Sequence, residues 1–404
     1  MTRPASELGR ALAAAFGPDF LVRQLSNEVV LKHLEPELLL QHFSWRDLNE
    51  ILTRGRVEPA ELKLCADGRS LPEHEYMVTR AGHRVVDLTK AFSLMRSGAS
   101  LIIDSLDRIH PAVRSATDDI MRMVGETASC NLFVTFDNSQ AFDSHFDEVD
   151  TFVVQVRGTK HWQVHGPSEE HPLPEYGDSD PSRCPHSVLF EKTLEPGDVI
   201  HVPRGWWHTV RGAGESSLHL TFAFTRRTGY DWLRWVAYRA LGNVDVRESL
   251  TRAGTPQEQQ AQAERLAMAF VNEAKGLTLQ DFFDAERRQG GGRDTASLPW
   301  DVLKARRPPA ESMVELATVM PPLIDVRREK VVLTANSLEF ALPVAHHAAC
   351  EVLVRERRIG IAELAERADT SVAAVEALVS ALLRARLVTV SDGLGERADA
   401  WRAS

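Results

Sequence analysis

Paired cysteines, an excess of positive charge, a long apolar run and an internal repeat are all missing from this sequence. Cys65, Cys130, Cys184 and Cys350 stand far apart with no CxxC spacing. They form neither the framework of a small secreted scaffold nor a zinc knuckle, and a reducing cytoplasm is the expected setting. Lys and Arg number 47 against 57 Asp and Glu, a formal net charge of −10. That balance argues against a broad electrostatic grip on nucleic acid. No window approaches the roughly 20 apolar residues that cross a bilayer. The Ala-rich stretch MTRPASELGRALAAAFGPDF is interrupted by Glu7 and Arg10 and lacks the apolar core and cleavage site of a signal peptide. The expectation is a soluble, cytoplasmic protein with no membrane partner.

What is present allows substantial cores. The 404 residues leave room for two or three domains. The 43% hydrophobic and 26% charged content is ordinary for a globular chain. Residues 1–125 mix helical and strand signals. FSWRDLNEILTRG reads as a helix opened by Ser44, with Asp47 in its first turn and Gly55 at its end. VVDLTKAFSLMRSGASLIIDSLDRI reads as helix then strand, and HPAVRSATDDIMRMVG as a further helix. From Cys130 to Thr225 the texture changes to short apolar or alternating runs broken by Gly, Pro, Asp and Ser. NLFVTF, DTFVVQVRG, KHWQVHG, VLFEKTL, DVIHVP and SLHLTFAFT are the expected strands, which predicts an antiparallel barrel or sandwich.

After Arg227 the pattern turns helical. GYDWLRWVAYRALG and TPQEQQAQAERLAMAFVNEAKG carry apolar stripes at helical spacing, and Pro256 suits a helix start. RQGGGRDTAS, around Gly290 to Gly292, reads as a loop or linker. From about Lys330 the order becomes strand, helix, helix, turn, helix, strand. IAELAERADTSVAAVEALVSALLRARLVTVSDG resembles a winged helix-turn-helix, its second helix opened by Thr370 or Ser371. The expected division of this α+β chain is 1–228, catalytic; 229–328, helical; and 329–404, winged-helix-like.

Chemistry concentrates between Ser144 and His208, in SHFDEVDTFVVQVRGTKHWQVH and LEPGDVIHVPRGWWH. His145 and Asp147 lie two apart in a run that reads as strand, so their side chains are expected on one face. A later histidine would complete two imidazoles and one carboxylate, a set that fills one face of an octahedral iron and leaves positions open. The pair alone is weak evidence, because His33 and Glu35 repeat the spacing where no chemistry is assigned. Two histidines compete for the third position. His201 sits inside the apolar DVIHVP, as a core histidine would; His208 follows a Pro-x-Gly turn.

Taken together, His145, Asp147, the β-run through Gly158 to Lys160 and Trp162, then Gly197-Asp198, Pro203, Gly205 and His208 resemble the JmjC branch of the cupin-fold, 2-oxoglutarate-dependent iron oxygenases. Within that branch the chain most resembles the ribosomal oxygenases, over nearly its whole length. The resemblance implies a double-stranded β-helix core, a helical dimerisation segment and a terminal winged-helix domain. It implies His145, Asp147 and His208 as ligands of Fe(II), with 2-oxoglutarate as co-substrate, decarboxylated to succinate. Lys160 matches the cation that binds the distal carboxylate of 2-oxoglutarate, and Asn131 and His219 match further pocket positions. Lys160 follows His145 by fifteen residues, so on one alternating strand it would face the other way unless a bulge near Gly158 intervenes. Phe133 departs from the family, which often has tyrosine there. Trp206 and Trp207 are candidates for the mouth of the site. The substrate implied is an arginine or histidine β-carbon of a ribosomal protein, with a biosynthetic peptide or small metabolite as the alternative.

Two other classes compete. One is a metal-free cupin barrel serving a transcriptional regulator. Val331 to Ser404 carry eight Lys/Arg against ten Asp/Glu, and SVAAVEALVSALLRARL keeps its arginines at one end, so direct nucleic-acid binding is not expected. The other is a cupin isomerase or dioxygenase without 2-oxoglutarate, which would need no buried cation at Lys160.

Overall fold

A computed structural model describes residues 6–25, 27–54, 61–80, 82–173, 180–289, 295–302 and 307–391. The chain divides into two compact units between Arg226 and Arg227. The first boundary expected from the sequence lies two residues away, at 228/229.

The first unit contains thirteen described strands: β1 (Val30–His33), β2 (Leu62–Ala66), β3 (Arg69–Ser70), β4 (Met77–Arg80), β5 (His83–Val86), β6 (Ser100–Ile103), β7 (Thr127–Thr135), β8 (Asp150–Arg157), β9 (Lys160–Pro167), β10 (Val188–Leu194), β11 (Asp198–Val202), β12 (Trp206–Gly212) and β13 (Ser217–Thr225). An eight-stranded sheet runs β1-β11-β8-β13-β7-β6-β2-β3, and a three-stranded sheet runs β10-β9-β12. All recorded pairings among these strands are antiparallel, as the short alternating runs predict.

Alternation along β8 explains how one strand serves two interiors. Phe152, Val154 and Val156 join the large core, while Val153 belongs to a smaller cluster with Trp162, Val164 and Ile200. The large core is built with Leu8, Leu12, Phe16 and Phe20, Leu48 and Ile51, and Val113, Ala116 and Ile120. These lie on or beside helices Glu7–Asp19, Trp45–Arg54 and Pro111–Val124. Phe16 and Phe20 pack on Phe152 at ring distances of 4.8 and 5.6 Å. Each such buried aromatic contributes about 1.5–3 kcal/mol of transfer free energy. Helix Trp45–Arg54 begins as expected: Asp47 accepts hydrogen bonds from both the amide and the hydroxyl of Ser44. Its expected end at Gly55 lies outside the described residues.

Two local expectations are corrected. Residues 144–149 form no strand, and His145 makes only an isolated bridge to His208. The polar spacing His-x-Asp imitates strand alternation, but SHFDE carries no β-branched residue, and Asp147 and Glu148 are residue types depleted in strands. Conversely, the expected strands omitted β12, which contains His208 and starts directly after the turn residues Pro203 and Gly205.

The second unit opens with helices Gly229–Arg239, Pro256–Ala274 and Leu279–Gln289. Thr228 with Asp231 and Thr255 with Glu258 form capping boxes, and Pro256 occupies the first turn. Gly290–Gly292 lie outside the described residues. Then follow β14 (Met313–Leu316), β15 (Leu323–Arg327), β16 (Lys330–Ala335), β17 (Leu338–Pro343), helix His347–Glu356, β18 (Arg358–Gly360), helices Ile361–Arg367 and Val372–Arg384, and β19 (Val388–Ser391). Two three-stranded sheets result, β18-β14-β19 and β15-β16-β17. Ser371 caps the last helix by accepting from the Ala374 amide. The boundary expected at 328/329 falls in the turn of the β15–β16 hairpin. Val314, Leu316, Val331, Leu333 and Leu378 share one core, so no division occurs there.

Candidate metal centre

The ligand candidates meet because backbone hydrogen bonds tie a loop to a strand. The His145 amide donates to the His208 carbonyl at 3.2 Å, and the His208 amide donates back to His145 at 2.7 Å. The Asp147 carbonyl accepts from Gly205 at 2.9 Å. The Asp147 carboxylate consequently lies 4.0 Å from His145 Nε2 and 3.8 Å from His208 Nε2. His145, Asp147 and His208 offer ligand atoms that all fall within 4.8 Å of one another.

Both rings are oriented by the chain itself. His145 Nδ1 donates to the Asp143 carbonyl at 2.8 Å, and His208 Nδ1 to the Trp206 carbonyl at 3.1 Å. These bonds assign the protons to Nδ1 and turn the Nε2 lone pairs toward each other and toward Asp147. Burial pushes the His208 pKa down to about 4, helped by His145, so this ring is neutral at physiological pH. Trp162 stacks on it at 5.7 Å and 21°. Three acceptors facing one another with no hydrogen between them is an arrangement that a cation satisfies, and two imidazoles with one carboxylate suit a borderline divalent ion such as Fe(II). His201 plays no part. It is fully buried, with Nδ1 3.0 Å from the Thr151 carbonyl and Nε2 2.7 Å from that of Leu25.

Beneath the three ligands lies a cavity of about 540 Å³ whose lining includes Phe133, Thr135, Lys160, Trp162, His219 and Thr221. Lys160 reaches it from the smaller sheet. Gly158, at φ +59°, turns the chain between β8 and β9, and a Cβ there would meet the Ser216 carbonyl oxygen at 2.1 Å. No bulge is needed to bring Lys160 to the cavity. His145 precedes β8 and Lys160 opens β9, so they share no strand and alternation does not relate them. Lys160 is 1% exposed. Its Nζ donates to His219 Nδ1 at 3.1 Å and the Phe133 carbonyl at 3.3 Å. Among the described residues no carboxylate lies within ion-pair distance of Nζ. Burial alone pushes the Lys160 pKa down to about 7. Burial and the neighbouring Lys160 push His219 well below its ordinary value, which leaves it neutral with its proton on Nε2. Phe133 stacks on this ring at 4.9 Å and 26°.

The remaining expected residues divide. Asn131 shares the parity of Phe133 and Thr135 on β7, yet it does not line the cavity, and its side-chain oxygen accepts from the Ser105 amide at 3.0 Å. Trp207 is corrected from mouth to packing: it is fully buried, donates to Ser168 and meets Phe146 edge-on. Trp206, half-buried, packs against the smaller cluster. Sequence reasoning overlooked Trp162, Thr135 and Thr221 as lining residues. Their signal was the period of two that links Phe133 with Thr135 and His219 with Thr221.

Residues 107–232, which carry every ligand candidate and the cavity lysine, match the JmjC domain family. Over these residues the chain is similar to a JmjC domain. Among curated proteins, the chain is 34% identical over 265 residues to ribosomal oxygenase 1 of Bos taurus, covering 62% of this chain and 38% of that protein. It is 27% identical over 263 residues to the Gallus gallus protein, covering 63% and 43%. Over 169 residues it is 29% identical to the bifunctional lysine-specific demethylase and histidyl-hydroxylase NO66 of Brugia malayi, covering 39% and 24%. The chain spans about two fifths of the length of these ribosomal oxygenases. Among solved structures, the Escherichia coli ribosomal oxygenase YcfD in complex with cobalt and 2-oxoglutarate aligns with a TM-score of 0.53 at 16% identity, covering 93% of this chain and 98% of that one. At this identity the likeness shows a shared fold.

Proposed function

We propose that this chain is an Fe(II)- and 2-oxoglutarate-dependent oxygenase that hydroxylates a side chain of a protein. One observation carries the reading: two oriented imidazoles and a carboxylate converge over a cavity that also holds a buried lysine with no acidic partner among the described residues. His145, Asp147 and His208 hold the metal. Lys160, with one N–H left after Phe133 and His219, binds the distal carboxylate of 2-oxoglutarate, whose charge supplies the counterpart that the fold omits. The His219 Nε2–H and the Thr135 and Thr221 hydroxyls line the same space and offer further donors. Asn131, turned to the Ser105 amide, takes no part in this pocket. Together the metal and 2-oxoglutarate supply the electrons that activate dioxygen, with release of succinate and CO2.

The finer reading follows the names of the relatives. Ribosomal oxygenases and a histidyl-hydroxylase favour a ribosomal protein, hydroxylated at an arginine or histidine β-carbon, as the substrate in the cytoplasm. The exposed Leu233, Tyr238, Met268 and Val271 of helices Gly229–Arg239 and Pro256–Ala274 favour a homodimer, which a solution mass would test. The helix, turn and helix of 361–384 followed by β19 favour a winged-helix domain that packs on protein. The deciding experiment incubates the iron-loaded chain with ribosomal proteins and 2-oxoglutarate. Oxygen-dependent succinate and one residue heavier by about 16 Da are expected. Succinate formation with loss of a methyl group instead would favour demethylation, and no succinate under any condition would overturn the reading.

A further inference from the structure

With the ligand-bearing loop off the sheet, something other than strand pairing must hold His145 and Asp147 in register with His208. The backbone bridge fixes one point, at His145 and His208. Immediately beside it, Ser144 Oγ and Thr209 Oγ1 lie 2.6 Å apart. Thr209 follows His208 in β12, so its side chain leaves the strand on the opposite face, and it is 6% exposed. Ser144 precedes His145 in the loop. The two hydroxyls therefore flank the two imidazoles, one from each element. Among the described residues this is the one side-chain hydrogen bond between residues 143–149 and β12.

We infer that Ser144 and Thr209 are positioning residues, a hydroxyl clasp that keeps the loop ligands on β12 and thereby sets the affinity of the centre for its divalent metal. The inference rests on the metal-centre reading above. A rigid pair of imidazoles binds with less ordering cost than one imidazole on a strand and one on a free loop. Neither hydroxyl needs to touch the ion. Losing the bond leaves the Asp143–Asp147 segment held by its backbone hydrogen bonds to His208 and Gly205 alone, with more play at the ligands, while β12 retains its pairing with β9.

The test titrates cobalt(II) into the full chain and into the Ser144→Ala, Thr209→Val, double and Thr209→Ser variants, reading the dissociation constant by calorimetry. Each single variant is expected to bind about 10-fold more weakly, the range for partners one step removed from a metal. The double variant is expected to match the singles, because all three remove the same bond. Thr209→Ser, which retains the hydroxyl, is expected to recover the parent affinity. Unchanged affinity in both single variants, or losses that add in the double, would overturn the clasp while leaving the metal centre standing. A parent chain that takes up no cobalt would overturn both. Should Thr209→Val fail to fold, Ser144→Ala and Thr209→Ser still carry the comparison.

Discussion

Replacing Lys160 with methionine should stabilise the ligand-free chain and abolish its response to 2-oxoglutarate. Folding removes this ammonium from water and returns two hydrogen bonds, donated to the Phe133 carbonyl and to His219 Nδ1, but no counter-charge among the described residues. The fall of its pKa from 10.5 to about 7 corresponds to roughly 5 kcal/mol against the charged form. Methionine keeps most of the volume without that penalty and loses two bonds of about 1 kcal/mol each. A net gain of about 1–3 kcal/mol is expected at neutral pH, or a rise of several degrees in the midpoint of the barrel unit. The sign also fixes a pH window. Between about pH 7 and 10.5 the unfolded chain holds a proton that the folded lysine has released, so wild-type stability rises with pH there. The methionine variant lacks this rise. Adding cobalt with 2-oxoglutarate should reverse the ranking, because only the wild type binds the distal carboxylate and gains from mass action. Thermal melts at pH 7 and 9.5, with and without both ligands, read all of this. A less stable ligand-free variant, or one that 2-oxoglutarate still stabilises as well as the wild type, would refute the reasoning.

Two further outcomes follow from the same geometry. Gly158→Ala places a Cβ against the Ser216 backbone at a positive φ and should cost about 2–4 kcal/mol in urea unfolding; a loss below about 0.5 kcal/mol would contradict the tight β8–β9 turn. His201→Gln should lower stability at pH 7, and its deficit should shrink as pH falls from 6.5 to about 4. The buried wild-type ring, pushed down to about 4, refuses a proton that the unfolded chain accepts, so wild-type stability falls with acid across that window. Asp150, pushed up to about 6 by burial, titrates in both proteins and leaves the comparison intact. A deficit constant from pH 7 to 4.5 would contradict the assignment.

Much of the barrel was legible because its strands carry strong alternation. β8 and β13 are buried on both faces, as strands between two packed layers are, and both were anticipated from DTFVVQVRG and SLHLTFAFT. The helix-start residues Ser44, Pro256 and Ser371 act locally, so nearby residues suffice to reveal them. Failures arose where tertiary contacts overrule local pattern. His145 and Asp147 mimic strand spacing but converge through a backbone bridge 63 residues distant in sequence, His145 to His208. Lys160 seemed out of phase because its strand belongs to the other sheet. Arg328 and Glu329, polar and charged, read as a domain edge but form the turn of a hairpin whose strands are both in one core. The choice of His208 over His201 needed the carbonyl oxygens of Thr151 and Leu25, which no spacing reveals.

The most direct measurement is the stoichiometry and affinity of cobalt(II) for the chain and for His145→Ala, Asp147→Ala, His208→Ala and His201→Gln. One ion per chain is expected, weakened by more than about 100-fold in each of the first three variants and unchanged in the fourth. Retained binding in any of the first three, or loss in His201→Gln alone, would contradict the metal centre on which the account stands.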